Sequence, residues 1–184
     1  MDETTGATKR AANYRAASEQ DVAALVELVN AAYRPTTAAA GWTHESAWID
    51  GPRITSSQLA ATLRTPDSVL LVAEIDGSIA GCIEVRKDEH AAYIGTLAVA
   101  PSMQDHGLGK ALLYEAEQFA VRNWKIGTAV MVVLSARHEL IDFYLRRGYT
   151  RTGERMGYPL DAGVGRPRDE NLTIETLTRT IARA

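Results

Sequence analysis

The chain has 184 residues, a length suited to one domain with a proper core, and its 46% hydrophobic and 23% charged residues are ordinary globular usage. The formal net charge of -3, with the signs interspersed, excludes a basic surface for general nucleic-acid binding, and no apolar run suits a membrane span. The one cysteine, Cys82, excludes an intramolecular disulfide, and the N-terminus lacks the apolar core of a signal peptide, so a cytoplasmic protein is expected.

Residues 1–12 are small and polar without a periodic apolar face and read as a flexible tail, leaving 13–184 as a single domain without repeats or an interior linker. Tyr14 to Ala17 predicts a short strand. Ser18 then caps a helix in which Val22, Leu25, Val26, Val29, Ala32 and Tyr33 recur at helical spacing until Pro35. The stretch to Arg53 mixes aromatics with breakers and reads as irregular, and a second helix is expected over 57–63. Val69 to Ile75 and Ile79 to Val85, joined by Asp76-Gly77, carry the strongest short-range hairpin signal in the chain.

Tyr93 to Val99 adds a strand, followed by Gln104-Asp105-His106-Gly107-Leu108-Gly109-Lys110 and an amphipathic helix that buries Leu108, Leu112, Ala116, Phe119 and Ala120 and exposes Lys110, Glu117 and Arg122. Thr128 to Leu134 is apolar enough for a central strand covered on both faces. A short helix over 140–147 ends at Gly148, Tyr149 to Thr152 returns to the sheet, and a Gly- and Pro-rich loop leads to a last strand over 172–177. The order βααβββαβαββ predicts an α/β (α+β) mixture with a predominantly antiparallel sheet.

A glycine-spaced loop entering a helix N-terminus is an anion site, because unpaired N–H groups converge there and the helix dipole favours negative charge. The guest expected is a phosphate or pyrophosphate. A Walker A loop fails at Gln104 and Ala111, and a dinucleotide fingerprint fails at Leu112. The remaining pattern, Gln-x-x-Gly-x-Gly-Lys after a strand ending Val99-Ala100-Pro101, resembles the acyl-CoA loop of the GNAT family of N-acetyltransferases. A second match is Phe143-Tyr144-Leu145-Arg146-Arg147-Gly148-Tyr149, and the element order is similar from about Tyr14 to Leu177.

The resemblance implies a mostly antiparallel mixed sheet of about six or seven strands flanked by about four helices. It implies an acetyl-CoA-dependent N-acetyltransferase acting on a primary amine by direct attack in a ternary complex, with a non-catalytic acyl-CoA-binding module as the alternative. Backbone groups of Leu97, Ala98 and Val99 would hold the pantetheine arm, and Gln104, Asp105, His106, Gly107, Leu108, Gly109 and Lys110 the pyrophosphate. Tyr144 matches the tyrosine that protonates the departing thiolate. Where some relatives carry a catalytic glutamate this chain has Tyr93, so the base is open, with Glu84 the first candidate and Glu45 and His44 behind it. Arg137 stands where many relatives have an Asn touching the cofactor.

The acceptor is expected between the 35–53 segment, with Trp42, Glu45 and Trp48, and the 153–170 loop, and Arg151, Arg155, Arg166 or Arg168 could meet a carboxylate. A small amine is preferred, because no acidic run suits a basic peptide. Cys82 is a weak candidate for an acyl-cysteine route, since a lone cysteine in an apolar strand usually packs as a small hydrophobe. His44, His90, His106 and His138 lack metal-ligand spacing, so no metal is expected. A homodimer is a family-level expectation.

Overall fold

Alternating apolar residues form a seven-stranded sheet in the computed structural model, which describes residues 11–35 and 44–181. Most of the expected N-terminal tail, and Trp42, lie outside those residues. In chain order the elements are β1 (Asn13–Ala16), α1 (Val22–Tyr33), β2 (Ile49–Asp50), α2 (Ser56–Arg64), β3 (Ser68–Ile75), β4 (Ser78–Lys87) and β5 (Ala92–Val99). There follow α3 (Leu108–Phe119), β6 (Thr128–Leu134), α4 (His138–Leu145), β7 (Thr150–Gly157), β8 (Arg166–Pro167) and β9 (Thr173–Thr180). The large sheet runs β1-β3-β4-β5-β6-β9-β7, antiparallel except where β5 meets β6, and β2 and β8 form a separate two-stranded ribbon. Among the described residues no helix is long and apolar enough to cross a membrane.

The period of two along β3 and β4 sorts their side chains between two cores. Leu71, Ile83 and Val85 pack on one face with Leu112, Leu113 and Ala116 of α3 and with Ile141 and Tyr144 of α4. Leu70, Val72 and Cys82 pack on the other with Leu25 and Val29 of α1 and Leu59 of α2. The Asp76-Gly77 turn closes the β3–β4 hairpin as expected, with Ile75 opposite Ser78. Thr55 caps α2 through a reciprocal pair with Gln58, so that helix begins one residue before the sequence pattern suggests.

Three expectations require correction. Glu117, placed on the solvent face of α3 by its polarity, is 3% exposed. Its carboxylate accepts from the Tyr149 hydroxyl at 2.9 Å and from Arg179 Nη1 at 2.7 and 2.9 Å, so a charged residue sits in an apolar layer because two partners converge on it. β7 extends to Gly157, past the expected end at Thr152, because an edge strand exposed along its whole length carries no hydrophobic alternation to read. β6 is covered on one face only near its end: Val132 is 37% exposed and lines a cavity.

Glu117 supplies a test of the packing. Removing Arg179 leaves a buried carboxylate held by one hydroxyl, so Arg179→Ala should lower unfolding free energy by about 1–3 kcal/mol, read from urea titration. An unchanged midpoint would contradict that role for the ion pair.

Candidate active site

β5 and β6 run side by side in parallel for only two residue pairs, Ala92 with Ala129 and Tyr93 with Val130, and then separate. Along β5 the separation coincides with a bulge: Cys82 faces Ala98 while Glu84 faces Gly95, so β5 gains a residue between them. Thr96 sits in the bulge with φ 44°, a costly conformation for a β-branched residue. Its hydroxyl donates to Glu84 at 3.1 Å and its carbonyl accepts from the Cys82 thiol. The bulge also moves Leu97 and Val99 to the α3 face and Ala98 to the α1 face.

Beyond the bulge the outer edge of β5 is available for a ligand. Ala100 donates its N–H to Ala80 on β4, so alternation aims the backbone groups of Val99 at the opposite edge. There the Val99 carbonyl accepts from Gln104 Nε2 at 3.3 Å and the Leu97 carbonyl from the Tyr33 hydroxyl at 3.0 Å. A cavity of about 270 Å³ follows this edge, from Tyr33, Leu97 and Val99 through the loop at Gln104, Asp105, Gly107, Leu108, Gly109 and Lys110 to Arg137, Phe143, Tyr144 and Arg147.

The loop has the geometry its spacing predicts. Gly107 precedes α3 with φ 80°, in the left-handed region that glycine enters without strain. Ala111 N–H bonds the Gly107 carbonyl, so the N–H groups that begin the helix before it have no helical partner and face the cavity mouth. A Cβ on Gly109 would lie 3.7 Å from Val99 and 3.9 Å from Phe143, which is ordinary contact. Protein packing therefore does not demand glycine there, whereas close approach by a ligand would. His106 is outside the cavity lining, its ring Nδ1 2.7 Å from the Gln104 carbonyl, and the Ala98 side chain is in the α1-side core.

A second cavity, of about 200 Å³, opens on the other side of Tyr144. Both cavities are lined by Tyr33, Leu97, Arg137, Leu140 and Tyr144, so these residues form the wall where they meet. Tyr144 is 7% exposed, and its burial pushes the phenol above its usual pKa. Burial likewise pushes Tyr33 up to about 12. Both therefore stay protonated across the physiological range and can donate. Cys82 is wholly buried, with its thiol pushed up to about 12 by the same cause, and lines neither cavity, so it packs as a hydrophobe.

The far wall of the second cavity is fixed by ionic and backbone ties. Glu45, 8% exposed, accepts from Arg34 Nη1 at 2.7 Å and from Arg137 Nη1 at 3.2 Å, while Arg34 Nη2 reaches the Val164 carbonyl at 3.0 Å. Glu45 thus joins the end of α1, the loop after β6 and the segment before β8. Ribbon β2–β8 ties the segment after Glu45 to the one after Val164, and Gly165 permits it: at φ 99° a Cβ there would lie 2.6 Å from the Asp50 carbonyl. Tyr158, Pro159, Ala162 and Val164 complete the wall, so the 153–170 region borders this cavity.

Other expected residues stand elsewhere. Glu84 lines neither cavity; its Oε2 lies behind Gly95, 3.7 Å from where a Cβ would project. Trp48 packs in a small cluster with Ile49, Leu134 and Ile174 and forms no cavity wall. Arg168 pairs with Asp50 at 2.7 Å and Arg151 with Glu175 at 3.4 Å, and Arg155 and Arg166 are exposed outside the cavity. The sequence reading missed Tyr33, taken only as the last apolar position of α1, and Arg147 and Arg53. Arg147 occupies an unspecified position between Tyr144 and Gly148, and Arg53 follows a Gly-Pro pair, so neither carried a signal.

The sequence matches the acetyltransferase (GNAT) family over residues 23–149. No protein with a curated description gives a significant match. Among solved structures, Ard1 from Thermoplasma volcanium is similar at 19% identity and a TM-score of 0.69, covering 94% of this chain and 99% of that one. Spermidine N-acetyltransferase from Vibrio cholerae, in complex with CoA and spermine, is similar at 12% identity and a TM-score of 0.68, covering 94% and 96%. The ribosomal-protein-S18-alanine N-acetyltransferase of Escherichia coli is similar at 16% identity and 0.65, covering 95% and 96%.

Gly109 separates ligand approach from folding. In the first turn of α3, Gly109→Ala should raise stability by up to about 1 kcal/mol through helix propensity. The same methyl should weaken CoA binding by about tenfold or more in calorimetry. Unchanged affinity would show that no ligand approaches that backbone.

Proposed function

This chain belongs to the GNAT family of acetyltransferases, and on that premise we propose that it transfers an acetyl group from acetyl-CoA to a primary amine of a small acceptor, by direct attack in a ternary complex. The observation that carries the reading is Tyr144, a buried phenol on the wall where two cavities meet. One cavity has the anion-binding loop and open strand edge that suit a pyrophosphate and a pantetheine arm. The other would take the amine.

Bound acetyl-CoA supplies an activated thioester carbonyl. The chain's part is to hold it and manage charge and protons. N–H groups from Asp105 to Lys110 and the dipole of α3 hold the pyrophosphate, with Lys110 beside it. The open β5 edge at Leu97 and Val99 binds the arm as an added strand, and an N–H there steadies negative charge on the carbonyl oxygen. As the amine nitrogen bonds to the carbonyl carbon and the C–S bond breaks, Tyr144 gives its hydroxyl proton to the leaving sulfur. The proton lost by the amine leaves through water toward Glu84, behind Gly95, and the phenol is reprotonated from solvent. Arg137 borders both ligands and, held by Glu45, positions the wall between them.

Three outcomes test these roles. Tyr144→Phe should lower kcat about a hundredfold, within the usual range for one acid–base group, while the Kd of acetyl-CoA stays within about twofold. Because the phenol pKa is raised, the proton donor remains loaded as pH rises, and wild-type kcat should show no loss from phenol ionisation below about pH 10. Glu84→Gln should lower kcat/KM about tenfold at neutral pH, with the deficit closing at alkaline pH where the amine is already neutral. Acetyl-CoA binding without thiol release across a broad amine panel would favour the non-catalytic module.

A further inference from the structure

We propose that the acceptor amine also bears a carboxylate, as an amino acid does, and that the guanidinium of Arg53 holds it; this rests on the acetyl-transfer reading above. Among the described residues the ionic side chains lining the second cavity are Arg53, Arg137 and Glu45. Glu45 is committed to Arg34 and Arg137. Arg53 is half-buried and lies 5.1 Å over the ring of Tyr33, and among the described residues its guanidinium has no hydrogen bond or ion pair. The backbone that carries it is nevertheless held in place: the Arg53 main-chain N–H donates to Asn30 Oδ1 at 2.7 Å, and Asn30 Nδ2 donates to the Ile54 carbonyl at 2.9 Å.

A cation partly shielded from water gains from a counter-ion, and this one lies against an aromatic face on a cavity wall. A carboxylate from the ligand would supply the missing charge, and a guanidinium matches its two oxygens with parallel donors. Arg34, Arg137, Arg151 and Arg168 already have carboxylate partners, which among the described residues leaves Arg53 as the cation that lines the cavity and awaits one. Tyr33, under Arg53, shares the dividing wall with Tyr144, so an anion on Arg53 sets the other end of a short molecule toward the reacting centre. Among the described residues the cavity offers a polyamine no uncommitted carboxylate along its lining, and Arg53 repels a second cation. A volume of about 200 Å³ suits an acceptor of amino-acid size.

The test uses the full chain, acetyl-CoA and the standard L-amino acids, each paired with its own α-carboxamide, with spermidine as a polycation. Thiol release should favour the best amino acid over its amide by at least tenfold in kcat/KM. Arg53→Gln, which keeps a stem over Tyr33, should raise KM for the acid at least tenfold and change that for the amide less than twofold, with the Kd of CoA unchanged as a check on folding. Equal use of acid and amide, equal losses in the variant, or preference for spermidine would overturn the proposal. If no amine releases thiol, the acetyl-transfer reading fails by itself; calorimetry of the same acid–amide pairs on the CoA-loaded protein then reads Arg53 directly. Acid binding that Arg53→Gln abolishes would sustain the anion site, and no discrimination between acid and amide would overturn it.

Discussion

The parting of β5 from β6 after two residue pairs is the constraint on which the rest of the structure depends. A parallel pair that stayed together would satisfy both backbone edges and leave no room for a ligand. Here the bulge at Thr96 turns β5 out of register, and its outer edge keeps polar groups that need a partner. Protein side chains already meet two of its carbonyls, from Tyr33 and Gln104. The strand's donors, the loop N–H groups before α3 and the phenol of Tyr144 then line one continuous cleft, which a long, amide-rich, phosphate-bearing molecule fits. The strain at Thr96 is offset locally by its hydroxyl bond to Glu84 and by the packing of the core around it.

Charge is distributed unevenly about that cleft. On the donor side it comes from backbone amides and a helix end, assisted by Lys110 and Arg147. About the second cavity Glu45 and two arginines form a buried cluster that joins three distant parts of the chain. Removing one member would leave the others with an uncompensated charge, so the cluster constrains the shape of the acceptor wall more than it adds to stability. Arg53 lies outside the cluster, and this separation makes it a recognition group.

Local signals in the sequence were legible. The Asp76-Gly77 turn, the glycine loop before α3 and the Phe143–Tyr149 segment each state their geometry within a few residues, and the structure has all three. The order of the seven strands of the large sheet and of the four helices followed from periodicity, whereas β2 and β8, two residues each within stretches read as irregular, carry none to read. What escaped was set by distant partners. Glu117 looks like a surface residue until Tyr149 and Arg179 converge on it, and β7 lacks alternation because both its faces are exposed. Glu45 does line the second cavity, but nothing near it in sequence announces Arg34 and Arg137 as its partners. Trp48 read as a cleft wall for the same reason: its packing against Leu134 and Ile174 spans most of the chain. Tyr33 and Arg53 acquire meaning only when α1 is laid against the segment before α2.

The account's central claim is that the β5 edge and the loop before α3 deliver an acyl thioester to Tyr144. A crystal structure of the chain with CoA tests it most directly. The account predicts the pyrophosphate on the N–H groups from Asp105 to Lys110, the pantetheine amides paired along Leu97 to Val99, and the thiol within hydrogen-bond reach of the Tyr144 hydroxyl. CoA bound elsewhere, or bound in the cleft with its sulfur directed away from Tyr144, would contradict it.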